Sequence, residues 1–332
     1  MRATPYLLSG SFAYDTILHH ASPFETSILP EAVAKLNVCF DIESVQEEFG
    51  GTGGNIAYNA ALLEQSPVLV GSVGDDIQRY ADWMRHMGLD TRTLTLAPNK
   101  ACAHAWITSD ASSNQLTAFS RGAMTTTPRV PAETPDLWHL APEYPVNMAL
   151  LARQAIEQGK SFFFDPGQAL PDFLAVPSMV DAILPLADLL RAATGIFVND
   201  YEAKLLIAAT GRPLEHWLTE PGQFFVRTRG SQGLVASMLQ PGGAVATYEC
   251  GVAPARAIVD PTGCGDAFRA GFLFGYTRGW TMENSLGMGS VMGSFAIEAH
   301  GGQNHRPTAD EIVERSAAFR ASAQAATCAV LV

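Results

Sequence analysis

The run Asp260, Pro261, Thr262, Gly263, Cys264, Gly265, Asp266, Ala267, Phe268, Arg269, Ala270, Gly271 carries the residue types needed to handle an anionic group. Gly263 and Gly265 bracket a tight turn in which backbone N–H groups can converge. A helix beginning near Gly265 directs its positive dipole end to the same point. Asp266 then stands where a carboxylate can accept a proton from an attacking hydroxyl while the N–H groups hold the charge on a transferred phosphoryl group. Taken alone, the same residues also read as a glycine turn with Asp266 capping a helix.

A second run, Gly50, Gly51, Thr52, Gly53, Gly54, Asn55, leads directly into an amphipathic helix. Its glycines let the backbone approach a ligand closely, and the Asn55 amide can both donate to and accept from vicinal hydroxyls, as on a ribose. A flexible loop with an Asn cap is the competing reading. The third run, Asn199, Asp200, Tyr201, Glu202, lies where a strand end enters a helix. Ligands of α/β enzymes gather at that edge of a parallel sheet, and a carboxylate there can hold hydrated Mg²⁺ near ATP phosphates. A capping role for Asn199 or Asp200 fits the local sequence equally well.

The elements that would position these runs alternate between strand and helix. Strands are predicted over Tyr6 to Ser11, Val68 to Val73, Ser161 to Phe164, Ile196 to Val198 and Gln223 to Thr228. Helices are predicted over Asn55 to Glu64, Ile77 to Met87 and Asp200 to Ala209, and later over Gly265 to Tyr276, Met282 to Ala299 and Thr308 to Ala326. This rhythm implies an α/β fold with a mostly parallel sheet flanked by helices. Residues from about 16 to 48 and 101 to 119 break it, being rich in strand formers, and are read as a small β-sheet lid that keeps water from a phosphoryl donor. Residues 1–332 are read as one domain carrying that lid.

The formal net charge of −12, with no clustered Lys and Arg, excludes a phosphate-backbone binder, so neither nucleic acid nor anionic membrane is expected as a partner. Five scattered cysteines without metal or redox spacing fit a reducing cytoplasm. The opening residues lack the apolar stretch of a signal peptide, and no apolar run reaches the roughly 18 residues of a membrane span. The eight histidines show no zinc spacing, no P-loop or Gly-x-Ser-x-Gly elbow is present, and Arg269 is read as an ion-pair partner.

Together with Gly10, Ser11 and Asp15, the three runs resemble the ribokinase (PfkB) family of carbohydrate and nucleoside kinases over nearly the whole chain. Within it, the chain is most similar to bacterial adenosine kinases, on Leu29, Pro30, Glu31 and Lys35, Gly122 to Met124, Asp165 to Gln168, Asn199 to Glu202 and Asp266 to Gly271. The resemblance implies a Rossmann-like ribokinase fold and transfer from ATP to the 5′-hydroxyl of adenosine or another purine ribonucleoside. A ribokinase- or fructokinase-like sugar kinase is the alternative, and a non-catalytic nucleoside or sugar sensor a more distant one.

Position by position, the resemblance makes Asp266 the catalytic base and Gly263, Cys264 and Gly265 the anion hole. Asp15, Gly51 and Asn55 would hold the ribose, Ser11, Phe119 and Gln168 would border the purine, and Asn199 would lie where nucleoside meets donor. Glu202 would assist Mg²⁺ through water, while Thr228, Gly230, Gly233 and Gln303 would line the ATP side. Activation by K⁺ and a homodimer through the lid are further implications. Five positions depart from the pattern: Pro261 replaces a Thr, Cys264 an Ala, Ala105 a base-stacking aromatic, Cys39 a hydroxyl, and Ala169 a second Gln. The base slot is therefore read as wider, which admits inosine and guanosine. Trp106 could stack in place of Ala105 only with a shifted strand register, since neighbours on a strand face opposite ways.

Overall fold

Phe162, Phe163 and Phe164 show how the chain is layered. Phe163 packs with Leu8, Phe197, Phe224 and Phe272 on one face of a central sheet, while Phe162 and Phe164 join Leu7, Trp138, Leu140 and Val198 on the other. Side chains alternate along a strand, so an unbroken apolar run is what a strand buried on both faces requires. The computed structural model describes residues 6–28, 37–112, 114–322 and, as backbone, 327–329. Leu29, Pro30, Glu31 and Lys35, singled out above, lie outside the described residues, as do positions 323–326 of the last predicted helix.

In chain order the first part forms β1 (Leu7–Ser9), β2 (Ala13–His19), β3 (Ser44–Gly50), α1 (Thr52–Leu62), β4 (Val68–Val70), β5 (Ser72–Val73), α2 (Gln78–His86), β6 (Thr95–Leu96), β7 (Ala103–Ser109) and β8 (Gln115–Ser120). Then come β9 (Leu137–Leu140), α3 (Pro145–Glu157), β10 (Ser161–Phe164), α4 (Leu170–Ala175), α5 (Pro177–Asp181), α6 (Leu186–Ala192), β11 (Gly195–Asn199) and α7 (Asp200–Thr210). The last part forms β12 (Phe224–Thr228), β13 (Leu234–Leu239), β14 (Val245–Cys250), α8 (Cys264–Tyr276), α9 (Met282–Ala296), α10 (Ala309–Ala321) and β15 (Thr327–Ala329).

The main sheet has the order β15-β14-β13-β12-β11-β10-β9-β1-β4. Strands β12 to β4 in that order are mutually parallel, and β13, β14 and β15 extend the sheet antiparallel. This is the mostly parallel α/β sheet that the strand and helix rhythm predicts. It brings the segments after β1, β9, β10 and β11 to one edge, where such sheets bind ligands.

Strands β3-β2-β7-β8 form a separate four-stranded sheet. Its register sets Asp15 opposite Ala105 and Glu48, and Ala105 opposite Phe119, so these four share one face. Trp106 falls on the other face, stacked on His104 with ring centroids 4.2 Å apart. The register therefore leaves Ala105, not Trp106, beside Phe119.

Helix α1 starts at Thr52, three residues before the predicted Asn55. Gly51, at φ 82°, turns the chain, and the Ser11 hydroxyl from the end of β1 accepts from the Thr52 N–H at 3.0 Å. The cap comes from a side chain 41 positions away, so no local signal announces it.

Candidate active site

At the sheet edge lies a cavity of ≈ 540 Å³ whose walls come from both sheets. The main fold contributes Ser11, Gly51, Thr52, Asn55, Pro142, Gln168, Gly263, Gly265 and Asp266, and the small sheet contributes Ala13, Asp15, Ala105, Thr117 and Phe119. The three glycine and carboxylate runs are distant in sequence, yet two of them meet here.

Gly263, at φ 77°, is the left-handed residue before α8, and Asp260 braces the turn by accepting from the Thr262 N–H at 2.9 Å and the Gly301 N–H at 2.8 Å. A side chain at position 263 would be strained at this φ and would strike Gly302 Cα at 2.7 Å. The Cys264 N–H donates to the Pro261 carbonyl at 3.2 Å, whereas no acceptor among the described residues takes the Gly263 or Gly265 N–H. The Cys264 amide thus closes the turn, while the Gly263 and Gly265 amides are unpaired among the described residues. Both N–H groups lie at the positive end of α8, where an anionic oxygen is stabilised.

Asp266 stands one residue further on and forms part of the cavity wall. Burial raises its carboxyl to about 7; the Asn55 hydrogen bond and the Arg269 charge pull it back, while Asp165 and Asp15 push it further up. A carboxyl near neutrality is suited to accept a proton from an alcohol. Asn55 Nδ2 donates to Asp266 Oδ2 at 2.8 Å, and no donor among the described residues reaches Oδ1. That oxygen is left to receive a proton.

Beneath the turn, Arg269 forms the expected ion pair, and its partner is Asp165 at the end of β10. Burial raises the Asp165 carboxyl, but the Arg269 guanidinium and the buried His139 ring together more than offset this and hold it below the usual carboxylate range. Asp15 reaches the cavity from β2 and has no protein donor among the described residues. Burial, with Glu48 opposite, raises it to about 6. Ionised at neutral pH and unsatisfied, it can accept from paired hydroxyls.

Other expected residues lie elsewhere. Asn199 and Glu202 form a reciprocal capping box at the start of α7: Glu202 N–H donates to Asn199 Oδ1 at 2.9 Å, and Asn199 N–H donates to Glu202 Oε2 at 2.8 Å. Thr228 ends β12, and Gly230 and Gly233 lie in the turn joining it to β13, all three outside the cavity wall. Gln303 is only 4% exposed and lies outside the cavity wall, its side chain bonded inward to Asn55.

Four polar or charged cavity residues, Thr117, Arg121, Glu143 and Asp172, carry no signal in the sequence. Arg121 and Asp172 form an ion pair joining the segment after β8 to α4. Neither stands in a motif, and only the fold brings them together.

The pfkB family carbohydrate kinase profile matches residues 14–309. The chain belongs to this family. It is accordingly a phosphotransferase acting on a hydroxyl group. A nucleoside kinase from Burkholderia thailandensis, solved with inosine, is 33% identical and superposes with a TM-score of 0.79, over 95% of this chain and 97% of that one. The same enzyme with ADP-inosine superposes at 0.77, over 96% and 97%. A nucleoside kinase from Methanocaldococcus jannaschii is 28% identical over 284 residues, covering 84% of this chain and 89% of its relative. Among the described residues no helix is long and apolar enough to cross a membrane.

Proposed function

We propose that this kinase phosphorylates the 5′-hydroxyl of a purine ribonucleoside, with ATP as donor. The observation that carries the reading is the joint make-up of the cavity. Carboxylates and free amides at Asp15, Asp266, Gly263 and Gly265 share it with an apolar wall of Ala105, Phe119, Met124, Pro142, Pro145 and Ala169. A free sugar offers hydroxyls on every side and would leave that wall without a matching partner, whereas a nucleobase fills an apolar slot. The small alanines at 105 and 169 suit a family of purine bases, adenosine and inosine among them. Complexes of the Burkholderia enzyme with inosine and ADP-inosine support the same class.

In this reading Asp15, Gly51 and Asn55 hold the ribose, Phe119 and Gln168 border the base, and the small sheet acts as a lid. Asp266 Oδ1 takes the proton of the 5′-hydroxyl as its oxygen attacks the γ-phosphorus of ATP. The bond to the β-γ bridging oxygen breaks, ADP leaves, and the Gly263 and Gly265 amides hold the charge on the transferring oxygens. The residues present fit Mg²⁺ bound chiefly by phosphates. No group of three or more acidic, His or Cys side chains gathers to hold a metal among the described residues. Glu202, its oxygens occupied by Asn199, keeps lone pairs for a metal-bound water. When bound, Mg²⁺ would neutralise phosphate charge.

The test is turnover with ATP against adenosine, inosine, guanosine, ribose and fructose. Nucleosides are expected to be phosphorylated and free sugars to lag far behind; phosphorylation of free sugars alone refutes the assignment. Asp266→Asn should lower kcat about 10²–10⁴-fold while nucleoside binding survives.

A further inference from the structure

Four side chains from four separate elements form a directed hydrogen-bond chain that ends on Asp266. Trp83 Nε1–H in α2 donates to Gln303 Oε1 at 3.0 Å. Gln303 Nε2 then donates to Asn55 Oδ1 at 3.0 Å and to the Tyr80 hydroxyl at 2.6 Å. Tyr80 passes its own proton to the Gly50 carbonyl at 2.8 Å. Asn55 Nδ2 donates to Asp266 Oδ2 at 2.8 Å.

The direction of this chain is fixed by chemistry. An indole N–H can only donate, so the group facing it must be the oxygen of Gln303. The Gln303 nitrogen therefore faces Asn55 and Tyr80 and uses both of its hydrogens. The Asn55 oxygen is thereby occupied, which leaves its nitrogen for Asp266. Because Asn55 is buried, reversing its amide would strand a donor and set two acceptors against each other.

The loop carrying Gln303 is itself held in place. His305 Nε2 lies 2.7 Å from Asn59 Oδ1, Asn304 Nδ2 donates to the His300 carbonyl at 2.9 Å, and Tyr58 donates to the His305 carbonyl. Gly302 passes so close to Asn55 that an added Cβ would meet its amide at 2.6 Å. Gln303 and Trp83 lie outside the cavity wall and touch no reacting atom.

We propose that Gln303, aimed by Trp83, is a positioning residue for phosphoryl transfer: it fixes the Asn55 amide so that one Asp266 oxygen is bound and the other is free for the acceptor's proton. This rests on reading Asp266 as the base. The charged and titratable groups around Asp266 are Arg269 on α8, Asp165 beyond β10 and Asp15 on β2, with Cys264 and Tyr80 beside them. Of these only Tyr80 meets the altered side chain, through the bond it accepts from Gln303; the others keep their surroundings. The Asn55 contact favours the ionised carboxylate, so misdirecting that amide should make the base harder to deprotonate.

The experiment uses the full chain with MgATP and inosine, following kcat/KM from pH 5 to 9. Gln303→Met keeps the length and adds no charge but loses both N–H donors, and Trp83→Phe keeps a ring but loses the N–H that aims Gln303. The first should move the acid limb up by about one pH unit and lower kcat at pH 7 about tenfold or more, with recovery at high pH. The second should move it the same way by less. Gln303→Met should also add little to the loss already caused by Asp266→Asn.

An acid limb that stays put, with equal losses at all pH values, overturns the proposal, as does a full multiplicative loss in the Asp266→Asn background. Should Gln303→Met fail to fold, the limb of Trp83→Phe decides alone. If Asp266→Asn keeps near-normal turnover, the reading of the base has failed instead. If it abolishes turnover while both limbs stay fixed, only the positioning role has failed.

Discussion

Arg269 grips Asp165 with two hydrogen bonds, Nε to Oδ2 at 2.9 Å and Nη2 to Oδ1 at 3.1 Å, between residues 104 positions apart. Both side chains are buried, and the pair ties the first turns of α8 to the end of β10. The helix whose N-terminus faces the cavity is thus fixed to the sheet that carries the opposite wall.

Removing one partner leaves the other as an uncompensated buried charge, which costs about 3–5 kcal/mol. Arg269→Met is therefore expected to lower stability by that amount, read as a fall in the denaturant midpoint. Exchanging both partners for apolar residues, Arg269→Met with Asp165→Leu, should recover much of the loss. A double variant as unstable as the sum of the singles would refute this account.

The two cavity carboxyls give the rate a defined pH response. Asp266, raised to about 7 chiefly by burial, must lose its proton to act as a base. The kcat/KM should therefore be full above about 7 and fall tenfold per pH unit below it. Asp15, raised to about 6 by burial and by Glu48, adds a second loss below that point, because a protonated carboxyl accepts hydroxyl protons poorly. Steady-state profiles with a nucleoside should show a slope near one that steepens toward two. A flat profile from pH 5 to 8 would exclude this pairing of groups.

Glu143 predicts an effect on stability. It is 2% exposed, and burial raises its carboxyl to about 8 against the opposing hydrogen bond from Asn147. A carboxyl raised on folding contributes stability that is complete below its unfolded value and is lost as pH rises through the folded one. That places the loss between about 4.5 and about 8. Glu143→Gln keeps the acceptor that Asn147 needs and cannot ionise. Its stability relative to the parent should climb across this window and then level off. Thermal melts at pH 5, 7 and 9 would show whether the gap widens.

The parts of the site that the sequence displays are those held by local chain geometry. Gly263 and Asp266 lie within one turn, so the glycines, the helix start and the carboxylate announce themselves together. Strand parity also suffices to set Ala105, rather than Trp106, beside Phe119. The rest depends on contacts between remote positions. Gln303 and Asn55 are 248 residues apart, and nothing around Gln303 signals an inward-facing amide. Helix α1 begins early because Ser11 caps it from another strand, and Glu143 owes its unusual state to burial that composition does not reveal. The run from Asn199 to Glu202 was readable both ways, and its geometry realises the cap.

The ion pair between Arg121 and Asp172 predicts a salt-sensitive effect on substrate capture. Arg121 follows β8 of the small sheet, Asp172 belongs to α4 of the main fold, and both border the cavity. Each side chain is about half exposed, so the pair is screened and contributes about 0.2–1 kcal/mol. If it helps to hold the small sheet against the fold once a nucleoside is inside, Asp172→Asn should raise the nucleoside KM about two- to fivefold and leave kcat nearly unchanged. The difference should shrink toward none at about 1 M salt, where the screening length falls to about 3 Å. A KM that is unchanged at low salt, or raised equally at all salt concentrations, would show that the pair does not govern closure.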